Sequence, residues 1–197
     1  YYVDKTMYIE KLENLPETSI MFLRPRKFGK TLFTSVLENY YDKYKADKFE
    51  TLYGKKYIGK NPTPLKNTYC ILRFNFSGID TSSEEATIKG FRKEVASSIE
   101  VFKYRYNLNF YVNKDDEAEN ILDNLFKSFL LQKRNEKIYV IVDEYDHFAN
   151  ELLGFNPSQF RALVSKNGKV TKWYEILKKG TETVVDRIFI TGVAPIT

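Results

Sequence analysis

The chain has 197 residues, 43% hydrophobic and 29% charged, the balance of a globular domain rather than a disordered one. Its single Cys and single His exclude a disulfide framework and a His/Cys metal cluster, and point to a reducing, cytoplasmic setting. The 31 basic and 26 acidic residues leave a net charge of +5, which suits polyphosphate or nucleic acid and which a solvated surface explains as well.

Ser19 to Leu23 is the first apolar run that reads as a strand, and it feeds directly into Arg24-Pro25-Arg26-Lys27-Phe28-Gly29-Lys30-Thr31. Helical spacing follows over Thr31 to Tyr44, with Leu32, Val36, Leu37 and Tyr40 on one face. The Lys-, Tyr- and Gly-rich stretch from Lys45 to Asn67 reads as irregular surface with turns. Tyr69 to Phe76 is the second strand, and it encloses Cys70 as a small core residue. Glu84 to Tyr104 and Glu117 to Leu131 read as helices, separated by a weakly patterned connection.

Lys137 to Val142 is apolar almost throughout, as a strand covered on both faces should be. Asn156-Pro157-Ser158 marks a turn into a helix over Ser158 to Val164, and Val170 to Lys179 reads as another. Arg187 to Thr191 closes the series as a fourth strand. Strands alternating with helices predict βαβ units in a parallel sheet. The expected order is Ser19–Leu23, Arg187–Thr191, Lys137–Val142, Tyr69–Phe76. No apolar run approaches the ~18 residues of a membrane span, and no signal-peptide pattern opens the chain. The first residue is Tyr1 rather than Met, and Ala194-Pro195-Ile196-Thr197 follow directly on an apolar run. Both ends read as cut, so we expect one domain over residues 1–197, shortened at its C-terminal end.

Strand, loop, Gly-Lys-Thr and helix together form the context that a phosphate-binding loop requires. Gly29 lets the backbone approach closely, Lys30 supplies a point charge for the β- and γ-phosphates, and Thr31 offers a hydroxyl to Mg²⁺. The general pattern begins with Gly where this chain has Arg24, and a basic surface turn that caps a helix is the plain alternative. Arg24, Arg26 and Lys27 either add charge to the phosphate site or simply solvate the loop.

The second signal is the strand that ends in Asp143-Glu144. Acids at the C-terminal end of a parallel strand face the ligand crevice of an open α/β sheet. Asp143 is placed to hold Mg²⁺ through its water shell, and Glu144 to polarise an attacking water. Solvated turn acids are the alternative. A full strand fits between the loop and these acids, which describes the additional-strand, catalytic-Glu branch (AAA+/STAND-like) of three-layer P-loop NTPases. Thr191 then stands at the strand end that senses the γ-phosphate, or is a hydrogen-bonded strand-end Thr. His147, after Asp146, could reach the phosphates but reads more simply as a surface residue at a helix start.

Four segments carry a resemblance: Tyr2-Val3-Asp4-Lys5-Thr6, Phe22 through Thr31, Val142-Asp143-Glu144-Tyr145-Asp146 and Thr191-Gly192-Val193-Ala194-Pro195. Together they resemble the AAA-ATPase-like family over essentially the whole chain. Family members often carry a PD-(D/E)XK nuclease-like domain further along. The resemblance implies a P-loop ATPase fold, ATP and Mg²⁺, and a nucleotide loop that characteristically begins with Arg. It also implies that the segment from Tyr2 to Tyr8 packs near the adenine, for which an N-terminal staple is the alternative.

The leading expectation is therefore an ATPase module, transferring a phosphoryl group to water and coupling nucleotide state to a partner or a C-terminal domain. A binding switch with little turnover is the second reading, and the regulatory domain of a nuclease-like protein is the third. A nuclease site itself needs Glu-x-Lys, and no Glu here is followed two positions later by Lys. Nucleic acid and a second copy of the chain stay open as partners.

Overall fold

The computed structural model describes residues 3–147, 158, 161, 165 and 168–193. Four strands form one wholly parallel sheet: β1 (Ser19–Leu23), β2 (Cys70–Asn75), β3 (Ile138–Asp143) and β4 (Val185–Gly192). Their order is β1-β4-β3-β2, as the sequence predicts. Every residue of β3 is buried, because helices cover the middle of the sheet on both sides. The outer strand β1 leaves Met21 half exposed.

Alternation along the strands divides the core into two layers. On one face Leu72, Phe74, Val140, Val142, Ile188 and Ile190 meet α5 (Glu84–Arg105), α6 (Ala118–Leu131) and α7 (Lys169–Gly180). Trp173 is fully buried there, with Phe74, Phe76 and Phe91 around it at centroid distances of 4.9, 5.6 and 5.5 Å. On the other face Ile71, Tyr139, Ile141 and Phe189 meet α2 (Lys30–Tyr41) and Ile9 of α1 (Met7–Glu13). Cys70 sits in the first layer, and burial pushes its thiol up to about 12, so it stays protonated and inert.

Two sequence expectations need correction. The stretch from Lys45 to Asn67 is not plain surface: a 3₁₀ turn (Lys43–Lys48), α3 (Phe49–Tyr53) and α4 (Tyr57–Lys60) bury Phe49, Tyr53 and Ile58. These helices are four or five residues long, too short for a helical period to register. The helix after the loop ends at Tyr41 rather than Tyr44, because Asp42 turns extended and pairs with Tyr69. The helix expected over Ser158 to Val164 falls, Ser158 and Arg161 apart, outside the described residues, as do Tyr2 and Ala194 to Thr197.

Replacing Trp173 by Ala should cost about 3–5 kcal/mol, the range for a buried aromatic truncation. Trp173 is the only Trp of the chain, so urea unfolding followed by far-ultraviolet circular dichroism is the measurement.

Candidate functional site

The loop after β1 is shaped by two left-handed residues, Lys27 (φ 66°) and Gly29 (φ 76°). A Cβ built on Gly29 would meet nothing within 4 Å, so backbone conformation rather than space calls for glycine there. Lys27 carries a Cβ in the same region, a strain of about 1–3 kcal/mol. No acceptor among the described residues takes the backbone N–H groups of Lys27 to Lys30, so a row of donors precedes and enters α2. Such a row forms an anion-seeking concavity.

Lys30 lies beneath that row and is only 6% exposed. Its ammonium donates to the carbonyls of Arg24 (2.8 Å) and Pro25 (3.1 Å), and no carboxylate among the described residues pairs with it. A buried cation that meets only neutral acceptors leaves the site short of negative charge. Thr31 is exposed in the first turn of the helix. Arg24, Pro25, Arg26, Lys27 and Phe28 are exposed too, with the Arg24 guanidinium turned onto Leu23 O and the Phe22 ring.

Asp143 ends β3 with no exposed surface. Its Oδ1 accepts from Thr191 Oγ1 at 2.6 Å, and its Oδ2 accepts from Arg73 Nη2 at 3.0 Å. Thr34, one turn into α2, places its hydroxyl 2.9 Å from Thr31 O and 3.3 Å from Asp143 Oδ2. Its single proton serves one of the two at a time, and this hydroxyl joins the loop helix to the acid strand. Thr191 is itself fully buried, and its oxygen also accepts from Glu144 N at 3.3 Å.

Glu144 leaves the strand with φ 52°, a left-handed conformation for a non-glycine residue. Its half-buried carboxylate has no hydrogen bond or ion pair to any described residue. The turn that follows is locked by Tyr145 N donating to Thr191 O (3.0 Å) and Val193 N donating to Asp146 Oδ2 (2.8 Å). Gly192 must lack a side chain, since a Cβ there would lie 2.4 Å from the Tyr145 ring. His147 follows as a half-buried residue whose N–H donates to Glu144 O.

Sequence reading missed Thr34, Arg73 and Glu38. Arg73 Nη1 donates to Glu38 Oε2 at 2.9 Å, and Arg105 Nη1 reaches Glu38 Oε1 at 3.3 Å and Asp42 Oδ2 at 3.4 Å. The available signal was a lone Arg within the apolar strand pattern Cys70-Ile71-Leu72-Arg73-Phe74.

Beside the loop, Val3, Thr6, Phe28, Leu32, Phe33 and Val36 line a largely apolar cavity of about 370 Å³. Asp4 fixes its N-terminal wall by accepting from Thr6 N (3.0 Å) and Tyr57 N (2.9 Å). Burial alone would raise the Asp4 carboxyl, but these N–H donors hold it below its usual value. Among the described residues no three Asp, Glu, His or Cys side chains gather into a metal cage. Asp143 and Thr31 are donors of the kind a hard cation takes when water and phosphate supply the rest of its coordination, and both Asp143 oxygens are here engaged by Thr191 and Arg73.

Thr191→Val should destabilise the fold by about 1.5–3 kcal/mol, the worth of a hydrogen bond to a charged group. Urea denaturation midpoints at pH 7 measure it.

No helix among the described residues is long and apolar enough to cross a membrane. No solved structure matches the chain. A family model described as a predicted AAA-ATPase matches residues 1–197, the full length of the chain, so the protein belongs to the AAA-ATPase-like family.

Proposed function

We propose that the protein binds ATP at the Arg24–Thr31 loop and hydrolyses it, using nucleotide state to drive or gate a partner or a further domain. The observation that carries this reading is Lys30: a buried ammonium with no acidic partner among the described residues, beside a row of N–H donors that none of those residues accepts. That arrangement favours a polyanion whose oxygens take the N–H groups and the ammonium together. The apolar cavity walled by Val3, Phe28, Leu32 and Val36 suits the adenine, beside the loop.

In this reading Thr31 and Asp143 would hold Mg²⁺, which would supply charge neutralisation at the phosphates. Lys30 contributes the second positive charge as the bond to the leaving oxygen lengthens. Glu144 accepts the proton of the attacking water, a role supported by its carboxylate, unpaired among the described residues, and its fixed, strained backbone. Thr191 acts through others: its hydroxyl orients Asp143 and its oxygen anchors the Glu144 turn. The insertion of β4 between the loop strand β1 and the acid strand β3 supports the additional-strand, AAA+/STAND-like branch.

Lys30→Ala should remove most ATP affinity, by about 2.7–4 kcal/mol, the worth of one preorganised donor in an anion site. Calorimetric titration with Mg-ATP reads this, and unchanged affinity would refute the loop as the phosphate site.

Glu144→Gln should bind ATP as the parent does while phosphate release falls by about 10²- to 10⁴-fold. Parallel binding and phosphate-release assays on the full-length protein separate the two effects. A parent that binds Mg-ATP and releases no phosphate would establish the binding switch instead.

A further inference from the structure

Arg73 lies on the α2 face of the sheet, registered with Ile141 and two residues before the end of β2. Neither sheet pairing nor apolar packing calls for a cation at that point. Its guanidinium is divided between two acids, with Nη2 on Asp143 and Nη1 on Glu38. The Asp143 side chain has 0% exposure, Glu38 17% and Arg73 26%, so water screens the group only in part.

Resting on the nucleotide reading above, we propose that Arg73 is a resident counter-cation that sets how strongly ATP binding depends on Mg²⁺. A carboxylate as buried as Asp143 requires a compensating charge, and Arg73 is the cation that pairs with it among the described residues. The guanidinium and a divalent ion are attracted to the same oxygen pair and repel each other. Arg73 therefore opposes the metal while adding positive potential for a metal-free polyphosphate. Glu38 has the reverse effect. By holding the other nitrogen it draws the guanidinium away from Asp143 and leaves that carboxylate more available. Arg105 fixes Glu38 in this position from its far oxygen.

The two acids therefore tune Arg73 in opposite directions, and opposite effects are what a purely structural ion pair would not produce. The readout is the ratio of the ATP dissociation constant in EDTA to that in excess Mg²⁺, measured by fluorescent-ATP titration of the full-length protein. Arg73→Gln should raise this ratio about tenfold, by tightening Mg-ATP and weakening metal-free ATP. Glu38→Gln should lower it by about threefold, because Arg73 then falls to Asp143 alone. Arg73→Lys keeps the charge and should stay within about twofold of the parent.

Ratios that shift in the same direction in Arg73→Gln and Glu38→Gln, or stay at the parent value, overturn the proposal. A structural pair would weaken both dissociation constants together and leave the ratio unchanged. Should Arg73→Gln fail to fold by circular dichroism, Glu38→Gln decides the matter: a ratio that does not fall refutes it. A parent that binds no ATP with or without Mg²⁺ defeats the nucleotide reading itself, and this proposal with it.

Discussion

A carboxylate that no water reaches must find its counter-charge and its donors inside the fold, and Asp143 is where this protein meets that demand. Thr191 comes from β4, Arg73 from β2 and Thr34 from α2, so three elements converge on one side chain at the end of β3. Separating a buried charge from its partner costs about 3–5 kcal/mol, several times the worth of an exposed ion pair. The register at this sheet edge follows from it. Asn75 pairs with Asp143, Ile190 with Val142 and Leu23 with Gly192, which brings the loop strand and the acid strand to the same rim.

The aromatic content of the chain divides along the same sheet. The aromatic residues buried on the α5–α7 face are mostly Phe and Trp, which need no polar partner on the ring face. The aromatic residues buried on the α2 face are mostly Tyr: Tyr40, Tyr41, Tyr53, Tyr69 and Tyr139. Several of these hydroxyls reach acceptors at the margin of the layer: Tyr41 donates to Glu13, Tyr53 to Val36 O and Tyr69 to Asp186. Burial raises the Tyr41, Tyr69 and Tyr139 hydroxyls well above their ordinary value, so all three remain neutral. This face can thus be thick and apolar at its centre while it ties α1 and α3 down at its rim.

Much of this was legible in the sequence because buried parallel strands announce themselves. Ile138 to Val142 is apolar at every position, and cover on both faces explains that. Gly-Lys-Thr after a strand and two acids after another marked the ends that would meet. Arg73 was not legible. A charge in a strand reads as a solvent-facing position, and only the fold shows that this position faces α2 and an acid beside it. Thr34 was hidden for a related reason, since its partners lie three residues back and on a strand more than a hundred residues away. The short helices α3 and α4 escaped because each buries one or two side chains, too few to set a period.

Lys30 has one more consequence. By bonding to the carbonyls of Arg24 and Pro25, its side chain closes the loop into a ring that begins at the end of β1 and returns from the start of α2. A loop tied to itself in this way cannot collapse onto the protein surface, nor does it have to search for its shape when a ligand arrives. The entropy of ordering it is spent during folding, so that under the proposed function the binding step would inherit a cradle already formed. In the proposed reading, an incoming phosphate would need only to draw the ammonium from two neutral oxygens to charged ones, a short swing of a single side chain within a fixed backbone.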